Sequence, residues 1–363
     1  MASFQRSTPV CQGFARADPS SVVMEQKPED LKEADTAATN QNRELFKRFE
    51  VQKLLGKGSY GIVYRVKRLS DGGVYALKEA DVRKMSPLER ADAVNEIRLL
   101  ASVKHPNVVR YHEAFLDGNL LCIVMEYAPN GDLGRFIKKG NELKKAFPEE
   151  IIWKYFMQIC EGLQALHAAK IIHRDIKPMN IFVGDHDVVK VGDLGIAKMI
   201  KEGVANTQIG TPHYMPPELW QNKKYTFTSD LWALGCLLYE LMTYRVPFEA
   251  RSMAELRTKV MAGRFKPITP GKYSADLINL MGQLLQVNPQ RRPEVSKILA
   301  SSVVQKHAAG GPHKAAAEPS SKGNVLQTIK IPADLRLLQA RLPQAVYDDA
   351  EGDQIQAHKT SGT

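Results

Sequence analysis

The sequence predicts an α+β protein in two unequal lobes, a small β-rich lobe followed by a larger, mainly helical one. Three observations carry that reading. Residues 49–127 set short apolar runs between glycine-rich and Asp-Gly turns, the mark of an antiparallel sheet. Residues 130–300 repeat apolar positions every three or four residues, the mark of helices packed on a core. The flanks, residues 1–48 and 301–363, mix Ala, Ser, Gly, Gln and charges without periodicity, and so predict disordered extensions. A length of 363 residues agrees with two units of roughly 150. The hydrophobic share of 44% and charged share of 25% exclude collagen, a disulfide scaffold and a wholly disordered chain.

Each element follows in order. Val51, Leu54 and Leu55 lead into a glycine cluster, and Ile62-Val63-Tyr64 and Val74-Tyr75-Ala76-Leu77 then flank Ser70-Asp71-Gly72-Gly73. That is strand, loop, strand, turn, strand. Residues 88–103 place Val94, Ile97, Leu100 and Val103 at spacing three, an amphipathic helix, and strands are expected at 108–116 and 120–127. Beyond Asn130-Gly131 the texture turns helical. The segment 149–169 carries Ile152, Tyr155, Phe156, Ile159, Leu163 and Leu166, with Glu149 and Glu150 in its first turn. A region rich in Gly and Asp spans 173–218, and helical patterns return at 229–243, 252–262, 274–286 and 293–300. No internal repeat is visible.

Composition also bounds the partners. The net charge is +10, yet Lys and Arg are scattered with no basic block of five, so direct binding of nucleic acid is not expected. The apolar runs at Leu120–Met125 and Leu234–Met242 fall far short of the ~18 residues a membrane helix needs. The N-terminus lacks the apolar core of a secretory signal. Arg6, Arg16 and several serines precede the first acid, Asp18, as in a transit peptide, but the apolar residues there form no helical stripe. Cys11, Cys122, Cys160 and Cys236 lie far apart and read as buried thiols in a reducing, cytoplasmic compartment.

The chemistry concentrates in four places. Gly56-Lys57-Gly58-Ser59-Tyr60-Gly61 precedes Ile62-Val63-Tyr64, a strand, which excludes the dinucleotide-binding version that must open a helix. Taken alone, the cluster fits a plain glycine turn as well as a phosphate-covering hairpin. Tyr75-Ala76-Leu77-Lys78 puts one lysine on an apolar strand, and Glu96, eighteen residues on, shares a helix side with Ile97 and Leu100. His173-Arg174-Asp175-Ile176-Lys177-Pro178-Met179-Asn180 packs charge directly after Ile171-Ile172. Asp193-Leu194-Gly195, Gly210-Thr211-Pro212 and Pro217-Glu218 follow. Each match is modest, but together, in this order, they are the protein-kinase signature set.

The chain therefore resembles a eukaryotic protein kinase of the serine/threonine type over about residues 49–300. The resemblance implies the bilobal kinase fold, with an N-lobe over 49–127 and a C-lobe over 130–300, and ATP with Mg²⁺ as cofactors. It implies that Gly56, Gly58 and Gly61, with Leu55, Lys57, Ser59 and Tyr60, cover the phosphates. Lys78, held by Glu96, would bind α/β-phosphate oxygens. Asp193 and Asn180 would hold the metal ions, Asp175 would act as base, and Lys177 would stand beside the γ-phosphate. Met125 is the implied gatekeeper, Glu126-Tyr127-Ala128 the hinge, Val63, Ala76 and Phe182 the sandwich around the base, and Asp132 the ribose contact. His173, Leu194 and Leu100 read as packing, Asp230 as the buried anchor of the catalytic loop, and Glu218 with Arg292 as a buried pair closing the large lobe.

Within kinases the chain is similar to the NIMA-related (NEK) family. The motifs that carry this are Leu55–Gly61, His105-Pro106-Asn107-Val108-Val109, Asn130-Gly131-Asp132-Leu133, Asn180-Ile181-Phe182, Asp193-Leu194-Gly195 and Gly210-Thr211-Pro212. His213 and Pro216 depart from the family pattern without removing a catalytic group. The resemblance implies activation by phosphorylation of Thr207, by an upstream kinase or by the chain itself, with the phosphate pairing with Arg174. It also implies protein substrates bearing Ser or Thr, and a setting in cell cycle, centrosome, basal body or cilium. The alternative is a catalytically weak kinase-fold scaffold. Tail residues 325–347 carry Val325, Leu326, Ile329, Ile331, Leu335, Leu338 and Leu342, too few for a coiled coil and suited at most to a short docking segment.

Overall fold

The computed structural model describes residues 43–58, 61–192, 212–269, 271–308, 339 and 341–347. Its small lobe is a five-stranded antiparallel sheet: β1 (Phe49–Gly58), β2 (Gly61–Arg68), β3 (Val74–Asp81), β4 (Tyr111–Asp117) and β5 (Leu120–Glu126), in the order β1-β2-β3-β5-β4. The side-chain period of two separates the faces. Val66, Leu77, Phe115, Cys122 and Val124 point to the outer face, where Leu45 and Phe49 close a small apolar cluster over them. The inner face packs on α2 (Pro87–Ser102), whose Ala93, Val94 and Ile97 are fully buried. The helix starts where the sequence stops it unwinding backwards: Ser86 and Glu89 form a capping box and Pro87 occupies the first turn.

Two segments expected in the flanking extensions are folded. Glu44–Arg48 forms a helical turn, α1, because Leu45 and Phe49 have a cluster to join and Arg43 and Arg48 have partners on β4. Arg43 Nε donates to Asp117 at 2.7 Å and pairs with Glu79, and Arg48 Nη2 reaches both carboxylate oxygens of Glu113 at 2.6 and 2.8 Å. Beyond residue 300, α10 (Ser302–Ala308) buries Val304 and stacks His307 on Trp153 at 4.4 Å. Of the expected docking segment 325–347, positions 339 and 341–347 lie within the described residues.

The large lobe is organised around α4 (Glu149–Ala168), in which Ile152, Phe156, Ile159, Leu163 and Leu166 are buried as the periodicity predicts. Around it lie α5 (Pro217–Trp220), α6 (Phe227–Thr243), α7 (Met253–Ala262), α8 (Ala275–Leu284) and α9 (Val295–Ala300). Each of the last four begins within two residues of its expected start. Two features were not singled out in the sequence. One is α3 (Leu133–Glu142), capped by Asp132, whose buried stripe is only Leu133, Ile137 and Gly140. The other is the pair β6 (Ile181–Val183) and β7 (Val189–Val191), three residues each inside the Gly- and Asp-rich region. Cys122, Cys160 and Cys236 are buried free thiols, as expected, and burial pushes each thiol pKa up. Cys11 lies outside the described residues. No helix among the described residues is long and apolar enough to cross a membrane.

The large lobe is closed by the expected ion pair. Arg292 Nη1 and Nη2 donate to Glu218 Oε1 and Oε2, both at 2.8 Å, with the two residues 3% and 4% exposed. Ser229 Oγ donates to the same carboxylate at 2.7 Å, and Arg292 also reaches the carbonyls of Gln286, Thr228 and Val287. Burial alone would raise the Glu218 pKa, but the Arg292 hydrogen bonds and charge, with Ser229, hold it below the ordinary glutamate value. A carboxyl depressed in the folded state stabilises the fold above its unfolded pKa and loses that contribution as the pH falls through its folded pKa. Glu218→Gln should cost on the order of 3–5 kcal/mol at neutral pH, because it strands Arg292. Denaturant unfolding from pH 7 to 3 should show the variant losing less stability on acidification than the parent. Parallel pH curves would show that the pair contributes nothing to acid sensitivity.

Candidate active site

The loop between α4 and β6 is built around one carboxylate. Asp230, fully buried near the start of α6, accepts the backbone N–H groups of His173 and Arg174 at 2.9 Å each, and lies 2.9 Å from His167 Nε2. These bonds hold Arg174 at φ 67°, a left-handed conformation that a β-carbon disfavours. His173 is itself fully buried. Its Nδ1 accepts the Asp175 N–H at 3.2 Å, so the proton belongs on Nε2, which faces the Gly192 carbonyl at 3.1 Å. Ile171 and Ile176, both buried, pin the two sides of the loop. His173 and Leu100 are thus packing residues as expected, while Leu194 lies outside the described residues.

The loop brings three predicted side chains together. Asp175 Oδ2 accepts from Lys177 Nζ at 2.7 Å and from Asn180 Nδ2 at 2.9 Å. The same Asn180 Nδ2 also donates to the Asp175 carbonyl at 2.8 Å. The amide nitrogen is committed twice to one residue, so the amide oxygen is the group Asn180 has to offer a cation. Oxygen is what a hard cation such as Mg²⁺ takes, usually beside one or two carboxylates and the phosphates of its substrate. Among the described residues no group of three or more His, Cys, Asp and Glu side chains gathers as a self-sufficient metal site.

Above the loop, the inner face of the sheet aligns the residues expected to hold the nucleotide. Val63 stands opposite Lys78 across β2 and β3, and Ala76 opposite Met125 across β3 and β5. All four share the face opposite to buried Leu77. Gly58 pairs with Gly61 where the hairpin turns, and Gly56 with Val63. Gly61 has φ +140°, and a β-carbon there would lie 1.7 Å from the Glu79 carbonyl oxygen, so only glycine allows this hairpin to close on β3. Leu55 is half-buried and Lys57 exposed. From below, Phe182 bridges Asp132, and Phe182 also packs against Gly192. Burial raises the Asp132 pKa, although its carboxylate accepts the Arg135 N–H and caps α3.

The Glu126 side chain faces away from the cleft. It pairs with Lys190 at 2.9 Å and accepts the Arg110 N–H at 3.2 Å. That leaves the backbone of Glu126 for the adenine contact expected at this hinge. Ser59, Tyr60, Asp193, Thr207 and Thr211 lie outside the described residues, as does the side chain of Glu96 and hence the expected Lys78–Glu96 pair. Sequence reasoning missed His167, which shares Asp230 with the loop. A histidine in the last turn of α4 carries no periodic signal that would mark it.

Residues 49–304 match the family model described as "Protein kinase domain". The chain is 44% identical over 259 residues to the "Probable serine/threonine-protein kinase nek3" of Dictyostelium discoideum, covering 69% of this chain and 23% of that protein. It is 44% identical over 255 residues to the "Serine/threonine-protein kinase Nek1" of Mus musculus, covering 69% and 21%. It is 36% identical over 288 residues to the "G2-specific protein kinase nimA" of Emericella nidulans, covering 71% and 41%. The chain thus spans well under half the length of these curated relatives. It belongs to the protein kinase family and is NEK-like in sequence.

An asparagine at 230 keeps one acceptor but turns an NH₂ group toward amides that need acceptors. Asp230→Asn should cost about 1–3 kcal/mol, and hydrogen exchange at the His173 and Arg174 amides should quicken by roughly 5- to 150-fold, since ~1.4 kcal/mol is tenfold in an opening equilibrium. Unchanged exchange at both amides would mean that the carboxylate does not hold the loop.

Proposed function

We propose that this chain, as a member of the protein kinase family, transfers the γ-phosphoryl group of ATP to serine and threonine hydroxyls of protein substrates. The observation that carries the reading is the Asp175 carboxylate, set between Lys177 Nζ and Asn180 Nδ2 on a loop anchored to Asp230. Bound Mg·ATP would supply the transferable phosphoryl group and the cations that neutralise its charge. Asp175 orients the substrate hydroxyl and takes its proton as the oxygen bonds to phosphorus and the bond to the departing ADP breaks. Lys177, beside that carboxylate, offsets negative charge on the transferred group. Asn180 offers its amide oxygen to one cation, and Asp193 its carboxylate to another. Lys78, supported by Glu96, holds α/β-phosphate oxygens under the hairpin of Gly56, Gly58 and Gly61. Val63, Ala76 and Phe182 enclose the base, beside Met125 and the hinge.

Lysine two residues after the base, and the relatives' names, favour Ser/Thr over Tyr as acceptor. A scaffold without catalysis is disfavoured, because Lys78, Glu96, Asp175, Asn180 and Asp193 are all retained. Thr207 is the activating site in this reading. A phosphate there adds about −1.5 to −2 charges and pairs with Arg174. In this reading the work lies in the cytoplasm, in cell-cycle control or at the centrosome, basal body or cilium, which the NEK resemblance and the name of the G2-specific relative support.

Transfer from labelled Mg·ATP to a Ser/Thr peptide array tests the activity. Asp175→Asn should lower kcat by roughly 10²–10⁴ while nucleotide still binds. An unaltered kcat would remove Asp175 from the role of base. In a separate arm, Thr207→Ala should match the phosphatase-treated parent and resist activation. Full activity in that variant would end the switch hypothesis.

A further inference from the structure

β4 is the outer strand of the five-stranded sheet, and an outer strand presents unpaired backbone groups along its free side. Here part of that side is covered by a distant segment of the same chain. Leu116 N–H donates to Gln339 Oε1 at 2.7 Å, and Val346 N–H donates to the His112 carbonyl at 2.7 Å. The Val346 carbonyl in turn lies 2.9 Å from His112 Nδ1. Position 339 meets the end of β4 and position 346 its start, so the segment runs antiparallel to the strand. On the way, Leu342 packs on the large core cluster. The segment thus passes from the inner side of the sheet to its outer side.

Its Tyr347 sits in a built receptor. The Tyr347 ring lies under the Arg68 guanidinium at 3.3 Å, stacks on His112 at 5.2 Å and meets Tyr75 edge-on at 5.4 Å. Its hydroxyl donates to Glu113, the carboxylate that Arg48 also holds. The irregularity in β4 between Tyr111 and Glu113 breaks the strict alternation there and lets His112 and Glu113 both serve this ring. Cation, aromatic ring, imidazole and carboxylate converge on one phenol. A free strand edge beside a side-chain pocket is a setting in which a peptide docks on a sheet.

We propose that the free edge of β4, with Arg68, Tyr75, His112 and Glu113, is a peptide-docking surface whose ligand is the chain's own tail segment, held at Gln339 and over residues 341–347 and anchored by Tyr347. The kinase-domain match ends at residue 304, so the ligand segment lies outside the matched domain, and its contact with β4 goes beyond the proposed phosphoryl transfer. The chemistry selects the ligand: a flat ring for the Arg68–His112 slot, a hydroxyl for Glu113, and an amide and a carbonyl for His112. A phenylalanine fills the slot without the hydroxyl, and an alanine fills neither.

The test uses the full chain, its Tyr347→Ala and Tyr347→Phe variants, and a fluorescent synthetic peptide of residues 337–349. In the parent, the Leu116 and Val346 amides should exchange at least tenfold more slowly than in Tyr347→Ala, with Tyr347→Phe between them. Amides inside α4 should exchange alike in all three, which separates release of the segment from unfolding. The peptide should bind Tyr347→Ala at least tenfold more tightly than the parent, whose site is filled. Equal exchange at Leu116 in parent and Tyr347→Ala overturns the proposal, as does a peptide that binds neither protein or both alike. Protection should survive tenfold dilution. Protection that fades on dilution assigns the ligand to a second copy of the chain and overturns the intramolecular reading.

Discussion

Asp230 is a carboxylate with no exposure to water, and a charge so placed is tolerable only when polar partners surround it. Two of its partners are consecutive backbone amides of the loop that carries Asp175. To present both N–H groups to one carboxylate, the backbone must turn sharply at Arg174, and the cost of its positive φ is met by those same bonds. That turn sends His173 inward and Asp175 outward. Every other distance in the site follows from it: the reach of Lys177, the two bonds of Asn180, and the contact of His173 with Gly192, the last residue before Asp193. A residue buried in the large lobe thereby sets where the solvent-facing carboxylate stands.

How much of this was legible follows from how local each signal is. Asp175, Lys177 and Asn180 sit within six residues, and their order alone pointed to their convergence. The strands β2 and β3 and the helix α4 were readable because each has one buried face of regular period. β6 and β7 were not, since three residues are too few to show alternation. α3 was hidden because Gly134 and Gly140 interrupt its stripe; Gly140 leaves room for the Tyr244 phenol, a reason visible only in three dimensions. Asp230 was named as the loop's anchor through resemblance, not periodicity, and His167 had neither. The folded parts of the flanks, Glu44–Arg48 and Ser302–Ala308, were missed for the same physical reason. Their polar composition hides one or two apolar side chains that count only when a partner cluster exists.

That partner cluster concentrates on β4. Glu113 is held by Arg48 from the segment before the sheet and by Tyr347 from the segment after the large lobe, while Asp117 and Glu79 hold Arg43. Glu113 and Asp117 belong to the strand at the sheet's edge, where few backbone bonds resist fraying, and Glu79 to β3, two strands in. A buried carboxylate favours guanidinium or a hydroxyl over water when desolvated, so each arriving segment stabilises the charge that the other needs. The two flanks are therefore coupled through one side chain, although some three hundred residues separate them.

The same edge lies one strand away from the hinge. Tyr75, which meets the Tyr347 ring, stands opposite Glu126 in the β3–β5 register, and the Glu126 N–H and side chain engage Arg110, just before β4 begins. Lys190 of β7 completes the contact by pairing with the same Glu126. The hinge side chain is consequently tied to β4 on one side and to the large lobe on the other, and only its backbone faces the cleft. The tail segment, the start of β4 and the hinge are therefore joined by one unbroken chain of contacts through Tyr75, Arg110 and Glu126.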